Sequence, residues 1–199
     1  MRNSTARLVV LVSGNGTNLQ AILDACAQGD LPAMVCAVIS NQPDAFGLVR
    51  AEKMGVPHYV VAHQKGADRR EYDAALADLV RSQDPDWIVL AGWMRVLSSA
   101  FLDFFPGRVV NLHPALPGMF PGTHAIERAY SAWQKGEIEH TGVMVHLVPD
   151  EGVDVGPILA SEKVQILPGD DLQSLEARIH DVEHRLLVDT LHKVIHDSR

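Results

Sequence analysis

The sequence predicts an α/β protein, with a mostly parallel, Rossmann-like sheet flanked by helices and an antiparallel extension at its C-terminal side. Three observations carry this. Short apolar runs alternate with segments whose apolar residues recur at helical spacing. The early runs are continuously apolar instead of alternating with polar residues, as strands buried on both faces are. In the last third, two apolar runs follow one another with no helical pattern between them, which reads as a hairpin or meander.

The elements follow in order. "RLVVLVS" (7–13) is a buried strand, and "NLQAILDACAQG" (18–29) a helix that stops at a glycine. "MVCAVIS" (34–40) is the second strand, and "AFGLVRAEKMG" (45–55) a helix closed by Gly55. "PHYVV" (57–61) gives a short third strand, "RREYDAALADLVRSQ" (69–83) an amphipathic helix, and "WIVLAG" (87–92) a fourth strand. A short helix around 98–105 leads into the strand "RVVNLH" (108–113). A helix over 125–136, strands over 141–148 and 157–166, and a long helix over 171–196 complete the chain.

At 199 residues, 47% of them apolar and 21% charged, the chain has the balance of one soluble globular domain. No run of 18 apolar residues predicts a membrane span. The amino-terminal stretch "MRNSTARLVVLVSGNG" meets glycines too soon to read as a signal peptide. Cys26 and Cys36 fall in a helix and a strand, as reduced thiols of a cytoplasmic protein would. A net charge of −8 with no Lys/Arg cluster argues against nucleic acid, which needs a basic face. It leaves room for a small anion held by backbone N–H groups at a helix start.

"VVLVSGNGTNLQAIL" has the order needed for such a grip: strand, glycine loop, helix. It lacks the marks of a dinucleotide site, because Leu19 stands where a third small residue belongs and Asn41 ends the second strand in place of an acid. It also lacks the lysine of a triphosphate loop. A monophosphate held by Gly16, Thr17 and Asn18 is the remaining ligand reading, beside a turn that only caps a helix.

A second pattern lies in "VVNLHPALPGMFPGTH" (109–124). Alternation puts Asn111 and His113 on one face at the end of a strand. Four prolines or glycines within 117–122 then make any continuation of strand or helix unfavourable. The acidic loop "PDEGVDVGP" (149–157) follows the next strand. An amide, an imidazole and a carboxylate suit acyl transfer to an amine: the first holds an oxyanion, the second handles a proton, and the third orients the second. With no serine or cysteine beside them, direct transfer is favoured over an acyl-enzyme. His113, His124, His140 and His146 show no i, i+4 pair and no nearby cysteine, so no metal is expected.

"SGNGTNLQAI", "AGWMRVLS", "NLHPALPGMFPG", "VHLVPDEGVDVGPIL" and "EARIHDVEH" together resemble the folate-dependent formyltransferase superfamily, and within it the glycinamide ribonucleotide formyltransferases. The resemblance covers nearly the whole chain and implies the formyltransferase fold. It divides a single domain, 1–199, into a phosphate-binding half (about 1–107) and a catalytic, folate-binding half (about 108–199). It implies a catalytic trio of Asn111, His113 and Asp154. Gly16, Thr17 and Asn18 would hold the substrate phosphate, and Glu183 the ribose. Arg69, Met94, Arg95, Val96, Leu97, Asn111 and Asp150 would bind 10-formyltetrahydrofolate, a co-substrate, with no metal. The implied partners are small molecules, 5-phosphoribosylglycinamide and the folate; a homodimer is left open. Two departures stand out: Gly118 interrupts the usual Leu-Pro-x-aromatic stretch, and the acidic loop is one residue longer than in many relatives. Spacing alone leaves Asp150 and Asp154 both available to His113; Asp154 is preferred because it precedes "VGP". Formyltetrahydrofolate hydrolases and methionyl-tRNA formyltransferases would share the trio, with additional domains expected beyond this length. A non-catalytic phosphate- or folate-binding module would have no use for Asn111 and His113 together.

Overall fold

The computed structural model describes residues 5–63 and 66–197; the first four residues of the amino-terminal stretch lie outside it. Seven strands form one sheet: β1 (Ala6–Val12), β2 (Ala33–Ser40), β3 (His58–Val60), β4 (Trp87–Leu90), β5 (Val109–His113), β6 (His140–Leu147) and β7 (Ile158–Gln165). Their spatial order is β3-β2-β1-β4-β5-β6-β7. The first five run parallel, while β6 and β7 are antiparallel to their neighbours. The chain therefore reverses its direction of travel across the sheet between β1 and β4. In open α/β sheets the crevice beyond the carboxyl ends of such strands is where ligands bind.

The helices are α1 (Thr17–Gln28), α2 (Phe46–Lys53), α3 (Arg69–Ser82), α4 (Ser99–Leu102), α5 (Ala125–Gln134) and α6 (Leu172–Asp197). Alternation along β1 sorts the core into two layers. Leu8, Val10 and Val12 pack with Leu19 and Ile22 of α1 and with Leu175, Ile179, Leu187 and Leu191 of α6. Val9 and Leu11 pack on the other face with Tyr72, Leu76 and Val80 of α3 and Phe101 of α4. Burial on both faces is why these strands carry no polar alternation.

Element limits differ most from the sequence expectation at β3, β4 and α4. β3 spans three residues, not five, and all three are exposed, because it has a neighbour on one side only. β4 stops at Leu90, where Gly92 at φ +80° turns the chain away. The helix expected over 98–105 is a single turn, α4.

Candidate functional site

Asn111 and His113 emerge on one face at the carboxyl end of β5, as period-two alternation requires. Asp154 reaches them from the loop between β6 and β7. Its Oδ2 lies 3.3 Å from His113 Nδ1, and its Oδ1 accepts from Asn111 Nδ2 at 3.1 Å. Gly122 N donates to the same carboxylate at 2.8 Å. Asp154 holds a left-handed φ of +55°, an unusual state for a residue with a side chain. The loop behind it is drawn tightly onto β6: a Cβ at Gly156 would run into the carbonyl oxygen of Leu147. Asp150 is placed differently, with its Oδ1 accepting from Gly152 N at 2.8 Å. The carboxylate beside His113 is thus that of Asp154.

His113 is buried, and its other ring nitrogen, Nε2, lies 3.1 Å from the Phe120 carbonyl oxygen. Both ring nitrogens therefore face acceptors, an arrangement a doubly protonated ring satisfies. Burial opposes this and is the larger influence, so the His113 pKa sits below the ordinary histidine value despite Asp154 and the Phe120 carbonyl. Burial also works to raise the Asp154 pKa, but the Gly122 N–H and the two imidazoles beside it, His146 and His113, bring it below the usual carboxylate value.

These groups stand in a cleft of about 210 Å³. Met94, Arg95, Val96, Leu97 and Asp150 line it with the trio. Apolar walls with a few convergent polar groups suit a flat heterocycle. Arg69 does not line it; its Nη2 donates to Glu151 Oε2 at 2.8 Å, and Glu151 Oε1 accepts from Ser99 N at 2.9 Å. Arg69 is thereby tied to the acidic loop from outside the cleft, the one expected folate residue not brought into it.

The glycine loop follows β1. Gly16 is the N-cap of α1 in left-handed conformation (φ +74°), and no side chain caps the helix. The first intrahelical bond is Gln20 N to Gly16 O at 2.9 Å, so the N–H groups of Thr17, Asn18 and Leu19 precede any helical acceptor. That is an anion-binding geometry. Glu183, buried on α6, accepts from Asn18 Nδ2 at 3.3 Å and pairs with His180 Nδ1 at 2.7 Å. Gly16, Thr17, Asn18 and Glu183 are therefore gathered at the start of α1.

Four residues escaped the sequence reading. Arg50 grips the glycine loop, donating to Asn15 O and Asn15 Oδ1, each at 2.8 Å. Ser13 donates to Asn41 Oδ1 at 2.6 Å and accepts from Met94 N at 2.8 Å, joining the ends of β1, β2 and β4. Arg128 donates to the carbonyls of Phe120 and Pro121, each at 2.6 Å, strapping the loop that faces His113. His146 lies inside the trio, with Nε2 3.1 Å from Asn111 Nδ2. Ser13 and Asn41 carried a usable signal, as polar residues ending apolar strands.

An open α/β sheet with an amide, an imidazole and a carboxylate converging at its carboxyl edge defines an enzyme built for acyl-type transfer. The sequence matches the family described as formyl transferase over residues 6–191. It is 45% identical to a phosphoribosylglycinamide formyltransferase of Schizosaccharomyces pombe, over 98% of this chain and 99% of that protein. It is 41% identical to the Escherichia coli enzyme of the same name, over 90% of this chain and 82% of that one. The crystal structure of phosphoribosylglycinamide formyltransferase from Bacillus halodurans superposes with a TM-score of 0.90 at 36% identity, covering 97% of both chains. The chain belongs to the formyl transferase family.

Among the described residues no helix is long and apolar enough to cross a membrane. Among the same residues no group of three or more His, Cys, Asp or Glu is arranged to hold a metal ion.

Proposed function

We infer that the protein transfers the formyl group of 10-formyltetrahydrofolate to the amine of 5-phosphoribosylglycinamide. The products are formylglycinamide ribonucleotide and tetrahydrofolate, a step of de novo purine biosynthesis. The observation that carries this is the meeting of Asn111, His113 and Asp154 in a cleft at the sheet's carboxyl edge, in a chain of this family.

The substrate amine attacks the formyl carbon and a C–N bond forms. Negative charge develops on the formyl oxygen, where an Asn111 N–H is the donor, joined by the His113 ring once that ring has gained a proton. One proton leaves the attacking nitrogen and one reaches the departing folate nitrogen as its bond to the formyl carbon breaks, so no net proton is consumed. His113, held below the ordinary histidine pKa, is suited to take the first proton and return the second. Asp154 stabilises the imidazolium in between. Gly16, Thr17 and Asn18 at the start of α1 receive the substrate phosphate, Glu183 stands beside it for the ribose, and the 94–97 segment with Asp150 borders the pterin. The reading also places the enzyme in the cytoplasm, where free Cys26 and Cys36 persist as thiols.

The test is an assay of tetrahydrofolate release with and without 5-phosphoribosylglycinamide. Release should depend on the ribonucleotide and match formylated product one to one. Equal release without it would indicate a hydrolase and overturn the reading.

A further inference from the structure

His146 is 1% exposed and sits in β6 directly opposite Asn111 across the antiparallel pair. Its Nδ1 lies 2.8 Å from the Leu147 carbonyl oxygen, a partner that can only accept. With its hydrogen on Nδ1 the ring keeps a lone pair on Nε2, an atom that also lies 3.5 Å from Asp154 Oδ1. That lone pair faces Asn111 Nδ2 at 3.1 Å, while the other N–H of the same amide meets Asp154 Oδ1 at 3.1 Å. A half-turn of the amide would bring its carbonyl oxygen against a carboxylate and a lone pair, leaving acceptors facing acceptors in a buried place. The amide orientation is fixed by two acceptors, one of which is His146.

The two bonds are unequal. Asp154 is a carboxylate and forms the stronger, charge-assisted bond, whereas His146 offers a ring-nitrogen lone pair. As charge grows on a reacting oxygen, the N–H facing His146 is the one that can turn toward it. We propose that His146 is a positioning residue for formyl transfer, holding one N–H of Asn111 in place until the oxyanion claims it. This rests on the functional reading above, and the experiment separates the two.

Turnover and both KM values are measured for Asn111→Ala, His146→Phe, His146→Gln and the double variant Asn111→Ala/His146→Phe. His146→Phe keeps the ring size and loses the acceptor; it should lower kcat about tenfold, within the range for a mispositioned catalytic group, with both KM values little changed. His146→Gln, whose amide can offer an oxygen near the same place, should recover most of the loss. On the Asn111→Ala background, His146→Phe should change kcat less than about twofold, because its effect travels through Asn111. Equal losses in both backgrounds, or a Gln variant as poor as Phe, would overturn the proposal while leaving the formyl-transfer reading intact. An Asn111→Ala variant with normal kcat would overturn both. Should His146→Phe fail to fold, the ring nitrogens of the unaltered protein decide by 15N NMR. Protonation at Nδ1 alone is expected, and a hydrogen on Nε2 would overturn the proposal.

Discussion

The loop after β1 and the loops around His113 stand at the same edge of one sheet, yet they are built from different groups. Residues 14–18 offer backbone N–H groups, and their shape is set by close packing: a Cβ on Gly16 would come within 2.8 Å of the Gly47 Cα. The His113 end offers side chains, each oriented by another polar group drawn from β5, β6, the 118–124 loop or the 149–157 loop. A backbone site tolerates side-chain change as long as its conformation survives. A side-chain network is sensitive to single atoms even when the fold is untouched. That contrast can be tested by which change harms which function.

The largest effect is expected from Asp154→Asn. The new amide keeps the size of the carboxylate but has one acceptor oxygen, where Asp154 accepts from both Asn111 Nδ2 and Gly122 N. It also removes the negative charge beside His113. Losing that charge lowers the His113 pKa further, because the attraction of Asp154 for the charged ring is gone. Turnover should fall about 10²- to 10⁴-fold, the range for acid–base groups. The limb of the pH–rate profile governed by His113 should move to lower pH, because the ring then gives up its proton earlier as pH rises. Asp150→Asn should affect folate affinity and leave the His113 titration in place. NMR titration of His113 in both variants checks this, and a shift appearing in Asp150→Asn instead would reverse the assignment.

Gly16→Ala probes the opposite end. A residue with a Cβ pays about 1–2 kcal/mol in left-handed geometry, which corresponds to a 5- to 30-fold change in an equilibrium constant. Ribonucleotide affinity should weaken by about that factor, while folate affinity and kcat at saturation stay near their original values. Calorimetry with each ligand separately is the measurement. Equal loss of both ligands would mean that the loop shapes the whole cleft and would erase the distinction between the two ends.

The two ends also differed in how far the sequence revealed them. The glycine loop is local: strand, loop and helix adjoin in the chain, so its geometry follows from neighbouring residues. Asn111 and His113 were legible for a similar reason, since strand alternation alone puts them on one face. The choice between Asp150 and Asp154 was not local. It depends on the left-handed turn at Asp154 and on Gly156 lying against the Leu147 carbonyl, a contact made only once the loop packs on β6. His146 was read as one of four scattered histidines; only the β5–β6 register puts it opposite Asn111. Arg69 was expected in the cleft, but its pairing with Glu151 depends on how α3 meets the acidic loop. Polar contacts between distant segments, unlike apolar periodicity, leave no repeat in the sequence to read.

The smallest effect should come from Arg128, which touches the His113 end at one remove. Its guanidinium donates to the Phe120 and Pro121 carbonyls, and the Phe120 carbonyl is also the partner of His113 Nε2. Phe120 holds φ +48° and His124 φ +57°, so this loop sits in left-handed backbone that side-chain-bearing residues adopt reluctantly. Arg128→Ala removes the strap but leaves Gly122 N bonded to Asp154, which still anchors the loop from within. Arg128 is exposed, so water can replace part of what it gives. A fall in kcat of roughly 2- to 10-fold follows, the worth of one or two ordinary hydrogen bonds, with ribonucleotide affinity unchanged. Arg128→Lys should recover part of the loss, since Nη2 alone meets both carbonyls and an ammonium also offers several N–H donors at one nitrogen. A loss as large as that of Asp154→Asn would mean the side-chain end is held together from the surface inward. No loss at all would mean that the inner bonds alone define it.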